Sequence, residues 1–184
     1  MKKIVITGAL GYIGTELCKL YSGFSWKYEV VAIDNRFISE RVNELKRRKI
    51  KFVQADILNL NEIKTFIKEA EIVHHLAGIT DVAYVKKDSN PDQDEKIKKV
   101  AVEGTENILK SMNENATIVF PSTHVVFEGL KTPKKDIDEN QETSTFLAYS
   151  TSKVVNEKQI ISSGKKYAIF RLGSVYGFST DTMR

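Results

Sequence analysis

Short runs of apolar residues alternate along the chain with stretches in which apolar residues recur every three or four positions. The runs predict β-strands, and the wider spacing predicts amphipathic α-helices. Strands are predicted at residues 4–7, 29–34, 51–54, 71–76, 117–121 and 166–171. Helices are predicted over residues 13–21, 42–45, 63–67 and 97–112, and from 149 to about 161. The polar segments 86–95 and 130–146 predict loops.

This regular alternation of strand and helix favours an α/β fold, in which a parallel sheet is covered by helices on both faces. Six strands in this rhythm are typical of the doubly wound, dinucleotide-binding arrangement. The length of 184 residues fits one domain. Residues 1–184 are therefore predicted to form a single dinucleotide-binding domain, with no internal repeat and no linker.

The composition is that of an ordinary globular protein, with 41% hydrophobic and 28% charged residues. The net charge is +4, but acidic residues interrupt the basic clusters and no aromatic residues are interleaved with them, which argues against a nucleic-acid partner. No apolar run is long enough for a signal peptide or a membrane span, so no membrane partner and a cytoplasmic location are expected. Cys18 is the single cysteine, and no cluster of residues has metal-ligand spacing, so neither a disulfide nor a metal is expected.

Three glycines follow the first predicted strand in the pattern G-x-x-G-x-x-G. Gly8 allows a tight turn, Gly11 lets a pyrophosphate approach the backbone, and Gly14 lets the next helix pack close to the sheet. The N-terminus of that helix offers N–H groups and the positive end of the helix dipole to a phosphate. The turn, which includes Tyr12 and Ile13, is therefore predicted to bind the phosphates of a dinucleotide.

A carboxylate at the end of the second strand predicts which dinucleotide is bound. Asp34 lies 20 residues after Gly14, where it can accept hydrogen bonds from the adenosine ribose and repel a 2′-phosphate, which favours NAD over NADP. Arg36 is close enough to soften this preference. Asp56, after the third strand, is either a partner for the adenine amino group or a residue that flanks a helix.

A tyrosine and a lysine are placed for acid–base chemistry. Tyr149 and Lys153 form the pattern Y-x-x-x-K in a predicted helix, so the phenol and the ammonium share one face. A free tyrosine has a pKa of about 10, which is too high for a base at neutral pH. A nearby lysine and an oxidised nicotinamide are both expected to lower that pKa. The hydroxyl of Thr123, which follows the fifth strand, is expected to hold a substrate oxygen beside Tyr149.

Seven segments, in this order, resemble the NAD-dependent epimerase/dehydratase family, the extended short-chain dehydrogenases/reductases to which UDP-glucose 4-epimerase belongs. They are TGALGYIG, Asp34-Asn35, the HLAG segment that ends at Gly78, the VEGT segment that begins at Val102, PSTHVVF, YSTSK and RLGSVYG. The resemblance covers essentially the whole chain. It implies a Rossmann fold, tightly held NAD and transient oxidation of a sugar hydroxyl. It also implies that Tyr149 is the general base, Lys153 its electrostatic partner and Thr123 the hydroxyl of a catalytic triad.

The resemblance further implies which residues contact the cofactor and which partners bind. The candidate cofactor-binding residues are Gly8, Gly11, Tyr12, Ile13, Gly14, Asp34, Asn35, Asp56, Ile57, Leu76, Ala77, Gly78, Tyr149 and Lys153. The expected substrate is a nucleotide sugar. The expected partner is a second copy of the chain, because relatives form homodimers through the helices that correspond to residues 97–112 and 149–161.

The chain departs from the family pattern at several positions. Ala101 stands where many relatives have an asparagine that supports the proton relay, so the relay is expected to run differently. Gly173-Ser174 and Phe178 replace a Phe-Asn pair and a proline, so the family's substrate contacts are not carried over there. His124 and the residue after it replace the acidic pair of the sugar 4,6-dehydratases, which argues against that reaction. His124 is then either an alternative acid or base, or a structural residue.

Two alternatives remain open. A 3β-hydroxysteroid- or dihydroflavonol-type reductase has the same scaffold, but such enzymes mostly prefer NADPH and Asp34 counts against them. A non-catalytic dinucleotide-binding protein belongs to another class, and the three catalytic candidates count against it. Relatives continue well beyond the last motif, so the small substrate domain is expected to be largely missing from this chain, which by itself is expected to be inactive.

Overall fold

The computed structural model describes residues 1–80, 90–132 and 134–177. Within these ranges, strands alternate with helices along the chain. The strands are β1 (Lys2–Thr7), β2 (Tyr28–Asp34), β3 (Lys51–Gln54), β4 (Ile72–His75), β5 (Thr117–Thr123) and β6 (Lys166–Leu172). The helices are α1 (Tyr12–Ser22), α2 (Ser39–Arg47), α3 (Leu60–Lys68), α4 (Pro91–Ser111) and α5 (Ala148–Ser162), and a short 3-10 helix spans His124–Phe127.

The strands form one parallel sheet in the order β3-β2-β1-β4-β5-β6. The chain begins in the middle of the sheet and winds outward first to one edge and then to the other, so the predicted doubly wound α/β fold is confirmed. The strand order reverses between β1 and β4, where Thr7 pairs with His75. In sheets of this kind, ligands bind beyond the carboxyl ends of the strands at such a reversal.

Apolar side chains cover both faces of the sheet. Alternate residues of a strand point to opposite faces, so Val5 packs into one cluster whereas Ile4 and Ile6 pack into the other. The Val5 cluster includes residues of α3, α4 and α5. The second cluster includes Cys18 of α1, and burial raises the pKa of its thiol to about 12.

The start of α4 differs from the prediction. Residues 91–95 were expected in a loop because they are polar and contain a proline, but they form the first turns of this helix. Asn90 caps the helix by accepting hydrogen bonds from Asp92 N at 3.0 Å and Gln93 N at 3.4 Å. Pro91 follows the cap, at a position where proline is favoured because it needs no hydrogen-bond donor. Residues 86–89 of the predicted loop lie outside the described ranges, as does Phe178.

Several large apolar side chains remain exposed. Leu20, Phe24 and Trp26 lie at the end of α1 and in the turn into β2, and Trp26 is 74% exposed. On β6, which is the edge of the described sheet, Tyr167 and Phe170 are about half exposed. Across the three described ranges, the helices are too short or too polar to cross a membrane.

Candidate active site

The turn after β1 packs its glycines tightly. Gly8 has a φ of +67°, which residues with side chains rarely adopt, and a Cβ there would lie 2.7 Å from Ala77 N. A Cβ on Gly14 would lie 2.7 Å from Ala9 Cα. The tight turn at Gly8 and the close helix packing at Gly14 are therefore present in the structure.

Gly11 ends this turn and is the N-cap of α1, and as a glycine it has no side chain with which to cap the helix. The first N–H groups of a helix have no partner within the helix, so the backbone of Tyr12 and Ile13 is available to an anion. The first turn of α1 also carries no acidic residue. Free backbone N–H groups at a helix N-terminus, next to a glycine turn, fit a diphosphate such as that of NAD. The Tyr12 hydroxyl donates to Gly177 O at 3.0 Å, which brings the segment after β6 to the rim of the turn.

Asp34 ends β2 with a buried carboxylate, only 4% exposed. One oxygen accepts a hydrogen bond from Leu10 N at 3.0 Å, which ties β2 to the glycine turn. The other oxygen accepts from Arg36 N at 3.0 Å and from Arg36 Nε at 3.1 Å. The Arg36 side chain is 54% exposed. A ribose would therefore compete with an exposed guanidinium for the carboxylate of Asp34.

The segment after β3 lies next to the end of β2, and most of its contacts are with other residues of the domain. Asn35 Nδ2 donates to Asp56 Oδ2 at 3.3 Å, and Leu58 N donates to Asp56 Oδ1 at 2.9 Å. Ile57 is buried, and its side chain faces Gly104 of α4, where an added Cβ would lie 2.9 Å from Ile57 Cγ1. Asp56 is therefore at the rim of the site, whereas the side chain of Ile57 belongs to the core.

Residues 76–78 follow β4 on the other side of the strand reversal. Leu76 N donates to Thr7 O at 3.2 Å, and Ala77 N donates to Thr7 Oγ1 at 3.2 Å. Leu76 and Ala77 are half-buried and Gly78 is exposed. This segment thus lies against the glycine turn, at the carboxyl end of the sheet.

Tyr149 and Lys153 share one face of α5, as the spacing predicts. Lys153 Nζ donates to Pro121 O at 2.8 Å and lies 4.4 Å from the centre of the Phe120 ring and 5.8 Å from that of Tyr149. Thr123 ends β5, two residues after Pro121, and its buried Oγ1 accepts from Val125 N at 3.2 Å. The tyrosine, the lysine and the strand end that carries Thr123 are therefore brought together.

The pKa values of Tyr149 and Lys153 differ from the expected ones. Burial raises the pKa of the Tyr149 hydroxyl, opposite to the expected direction. Burial also lowers the pKa of Lys153 to about 8, although the Glu157 carboxylate acts in the other direction. The expected lowering of the Tyr149 pKa relied on two positive charges, those of Lys153 and of an oxidised nicotinamide. The lysine by itself does not outweigh the cost of burying a phenolate.

Sequence analysis missed two charged residues near this pair. Glu157 is buried, and it accepts hydrogen bonds from Ser122 Oγ, from Arg171 Nε at 3.1 Å and from Arg171 Nη2 at 2.8 Å. The signal was present, because Glu157 follows Lys153 by four residues on the helix and Arg171 opens the RLGSVYG segment. Nothing in either motif indicated that the two residues pair.

The three histidines have different surroundings. His75 is fully buried and lies 3.0 Å from both Thr7 Oγ1 and Thr105 Oγ1. Its pKa is lowered to about 3 by burial and by the charge of Lys153. His74 packs against Tyr21, with Nε2 at 2.8 Å from the tyrosine hydroxyl. His124 is exposed, and its Nδ1 lies 3.1 Å from Leu172 O.

A parallel doubly wound sheet with a glycine turn, a strand-end aspartate and a Tyr-Lys helix is typical of the dinucleotide-binding domains of short-chain dehydrogenases. A family profile narrows this class. Residues 4–184 match the NAD dependent epimerase/dehydratase family, and the chain belongs to that family. The expected family is confirmed, and so is NAD as its cofactor.

Similar proteins include sugar-nucleotide epimerases. The chain is 27% identical to an uncharacterized UDP-glucose epimerase of Bacillus subtilis, over 95% of this chain and 57% of that protein. It is 25% identical to CDP-paratose 2-epimerase of Salmonella typhi, over 95% of this chain and 58% of that protein. Its fold matches the structure of UDP-glucuronic acid 4-epimerase from Bacillus cereus with a TM-score of 0.77 at 23% identity, over 92% of this chain and 55% of that one. The chain thus spans little more than half the length of these relatives.

Residues 1–80, 90–132 and 134–177 contain no group of three or more histidine, cysteine, aspartate or glutamate side chains that could hold a metal ion. The candidate site consists of backbone N–H groups, a carboxylate, a phenol, an ammonium and a hydroxyl.

Proposed function

We propose that this chain binds NAD and forms the cofactor-binding and catalytic part of an enzyme that transiently oxidises a hydroxyl of a nucleotide-linked sugar. Such an enzyme is an epimerase or a dehydrogenase. One observation carries the proposal: the Tyr149–Lys153 face of α5 lies against the end of β5, at the same edge of the sheet as the glycine turn and Asp34. Membership of the family and the sugar-nucleotide epimerases among its relatives support the same function.

In this proposal, residues at the strand reversal would hold the cofactor. The glycine turn and the N-terminus of α1 would bind the diphosphate, and Asp34 would accept hydrogen bonds from the adenosine ribose. Residues 76–78 and Lys153 would contact its nicotinamide end.

The catalytic residues handle the proton of that hydroxyl. NAD, when bound, supplies the acceptor for the hydride that leaves the sugar carbon. Lys153 stabilises Tyr149 as a phenolate, and this phenolate takes the hydroxyl proton and becomes a neutral phenol. Thr123 orients the substrate oxygen by a hydrogen bond. Because burial raises the pKa of Tyr149, this residue needs the positive charges of Lys153 and of oxidised NAD to act as a base near neutral pH.

A second candidate is an NADP(H)-linked reductase on the same scaffold. The Arg36 guanidinium favours it, because it lies at the carboxylate of Asp34 with Nη2 at 3.3 Å from Oδ2, where it could meet a 2′-phosphate. Asp34 itself favours NAD, since its buried charge would face that phosphate. Comparison of the two nucleotides separates these candidates.

The proposed chemistry is tested in a form of the protein extended to the length of its relatives. Tyr149→Phe should lower the rate of hydride transfer by roughly 10²–10⁴, the usual cost of losing a positioned general base. Its affinity for NAD should stay close to that of the unaltered protein, because the glycine turn and Asp34 are unchanged. Normal turnover by Tyr149→Phe would remove the catalytic assignment. The 184-residue chain itself is expected to bind NAD with negligible turnover.

A further inference from the structure

A third residue continues the line of Tyr149 and Lys153 on α5. Residues 149, 153 and 157 are spaced by four, so their side chains lie on one face of the helix. The third of them is Glu157, a glutamate that is only 5% exposed. Burying a carboxylate is costly unless charged or hydrogen-bonding partners compensate for the lost water.

Glu157 and Lys153 bind neighbouring residues of the same strand. Lys153 Nζ donates to the carbonyl oxygen of Pro121 at 2.8 Å, and the Ser122 hydroxyl donates to Glu157 Oε1. The next residue along β5 is Thr123, the proposed catalytic hydroxyl. Two successive turns of α5 are thus fixed to the strand directly before Thr123.

Arg171 of β6 keeps Glu157 negatively charged. Burial by itself would raise the pKa of Glu157, but hydrogen bonds from Arg171 and Ser122 and the charges of Arg171 and Lys153 together hold that pKa below its usual value. Arg171 approaches both oxygens, with Nε at 3.1 Å and Nη2 at 2.8 Å. Glu157 is therefore an anion at neutral pH.

Lys153 has few other charged neighbours among the described residues. On β4, His75 faces it but is neutral, since burial and Lys153 lower its pKa to about 3. On β5 and α5, the rings of Phe120 and Tyr149 lie near the ammonium. On β6, the charge of Arg171 is paired with Glu157. Burial lowers the pKa of Lys153 to about 8, and Glu157 is the group that opposes this shift.

We propose that Glu157 is a positioning residue whose carboxylate keeps the Lys153 ammonium charged, so that Tyr149 can act as a base. This inference rests on the proposed roles of Tyr149 and Lys153. A neutral lysine gives no stabilisation to a phenolate, so loss of the carboxylate acts on Tyr149 through Lys153. The same carboxylate also joins α5 to β5 through Ser122 and to β6 through Arg171.

The test measures the two titrations directly, in the 184-residue chain saturated with NAD. Tyrosine labelled with ¹³C at Cζ and lysine labelled with ¹³C at Cε report the protonation of Tyr149 and Lys153, with assignments from Tyr149→Phe and Lys153→Met. Glu157→Gln keeps the size of the side chain and a hydrogen-bond acceptor for Ser122. We expect the pKa of Lys153 to fall by about one unit or more in this variant, and the pKa of Tyr149 to rise.

A matched control removes a carboxylate that also has a lysine four residues away. Glu106→Gln breaks the exposed pair with Lys110 on α4 and should leave both titrations unchanged. Arg171→Met gives a test of opposite sign. It removes the positive charge of Arg171 but leaves Glu157, which stays ionised at the alkaline pH where Lys153 titrates, so the pKa of Lys153 should rise. If Glu157 only stabilised the fold, the two variants would not shift the pKa of Lys153 in opposite directions. Arg171→Met also keeps the inference testable if Glu157→Gln does not fold.

Two outcomes separate failure of this inference from failure of the proposed function. If Lys153 titrates alike in the unaltered chain, Glu157→Gln and Arg171→Met, the role of Glu157 is wrong. If Lys153→Met leaves the titration of Tyr149 unchanged, the lysine does not act on the tyrosine, and the proposed base chemistry fails instead.

Discussion

Thr7 and His75 pair across β1 and β4, and their side chains are joined by a hydrogen bond of 3.0 Å between Thr7 Oγ1 and His75 Nδ1. The other ring nitrogen lies 3.0 Å from Thr105 Oγ1, which accepts a hydrogen bond from Asn156 Nδ2 at 3.0 Å. All four side chains are buried. They form a polar chain from the strand before the glycine turn to the helix that carries Tyr149.

His75 should make the free energy of unfolding depend on pH in the acidic range. Its pKa is about 3 in the folded protein and about 6.5 in an unfolded chain, so between these values the unfolded state binds more protons. The free energy of unfolding should therefore fall as the pH drops below about 6.5, by up to ~1.4 kcal/mol per pH unit from this residue. Above that pH the ring is neutral in both states and contributes no slope. Urea titrations at pH 7.5, 6 and 5 measure the effect.

His75→Leu separates this contribution from those of other groups. The variant should be less stable at pH 7.5 by about 1–3 kcal/mol, because Thr7 and Thr105 lose a buried partner. Its stability should nevertheless depend less steeply on pH between 6 and 5. His124→Gln, at an exposed position, should keep the slope of the unaltered chain. An equal slope in His75→Leu would show that His75 is not the acid-sensitive group.

Asp34 should determine the choice of nucleotide. We expect NAD(H) to bind more tightly than NADP(H), because a buried carboxylate would face a 2′-phosphate. Asp34→Ala should narrow the difference by weakening NAD binding and by releasing the Arg36 guanidinium from its ion pair. Calorimetric titration of both nucleotides measures this. Equal affinities in the unaltered chain would contradict the role given to Asp34.

Gly14 should tolerate no side chain. A Cβ there would lie 2.7 Å from Ala9 Cα and 2.8 Å from Ala9 C, and backbone atoms cannot move aside without opening the turn. Gly14→Ala should lower the free energy of unfolding by about 1–3 kcal/mol and abolish NAD binding. Gly173→Ala is the matched control, because among the described residues no heavy atom would lie within 4 Å of a Cβ there. Similar losses in both variants would refute the packing explanation.

Thr123 should matter less for the rate than Tyr149. In the extended protein, Thr123→Val removes a hydroxyl that orients the substrate oxygen but leaves the base in place. Its rate of hydride transfer should therefore fall by less than that of Tyr149→Phe, with NAD affinity nearly unchanged. Single-turnover measurements of both variants compare the two losses. A larger loss in Thr123→Val would mean that the hydroxyl is more than an orienting group.

The chain is expected to associate as a homodimer through α4 and α5. In the structure, these helices pack against each other, and Asn156 Nδ2 and Gln159 Nε2 of α5 donate to Ala101 O and Val102 O of α4 at 2.9 and 3.1 Å. The faces of α4 and α5 that point away from each other could contact a second copy, and Ile161 of α5 is 53% exposed. Sedimentation over a range of concentrations tests this prediction. A monomer mass at every concentration would contradict it, and Ile161→Glu should shift a dimer toward monomer.

The arrangement of the sheet could be predicted because parallel strands buried on both faces are continuous apolar runs. β3 was predicted to the residue, and the other strands differ by one or two residues at their ends. The start of α4 was wrong because Asn90 and Pro91 were taken for loop residues, although a capping asparagine followed by proline favours a helix start. The 3-10 helix after β5 was missed because four residues are too few for a periodic pattern.

The candidate site could be predicted as far as its motifs reach along the chain. Gly8 with Gly14, and Tyr149 with Lys153, lie within one turn or one helix, so spacing alone relates them. The pairs Glu157–Arg171 and His75–Thr105 join residues from different elements, and no local pattern indicates them. Asp34 was predicted as a ribose partner with Arg36 nearby, but the ion pair between them depends on a turn conformation that the sequence does not reveal.

The exposure of Trp26 affects how these stability measurements have to be read out. An indole that is 74% exposed in the folded chain has nearly the same aqueous surroundings after unfolding, so its emission wavelength should barely change. It also precedes β2, at the edge of the sheet where the strands begin, whereas the candidate site lies where they end. Tryptophan fluorescence is therefore a poor probe of unfolding here. Far-ultraviolet circular dichroism, which follows helices α1 to α5 directly, is the better signal.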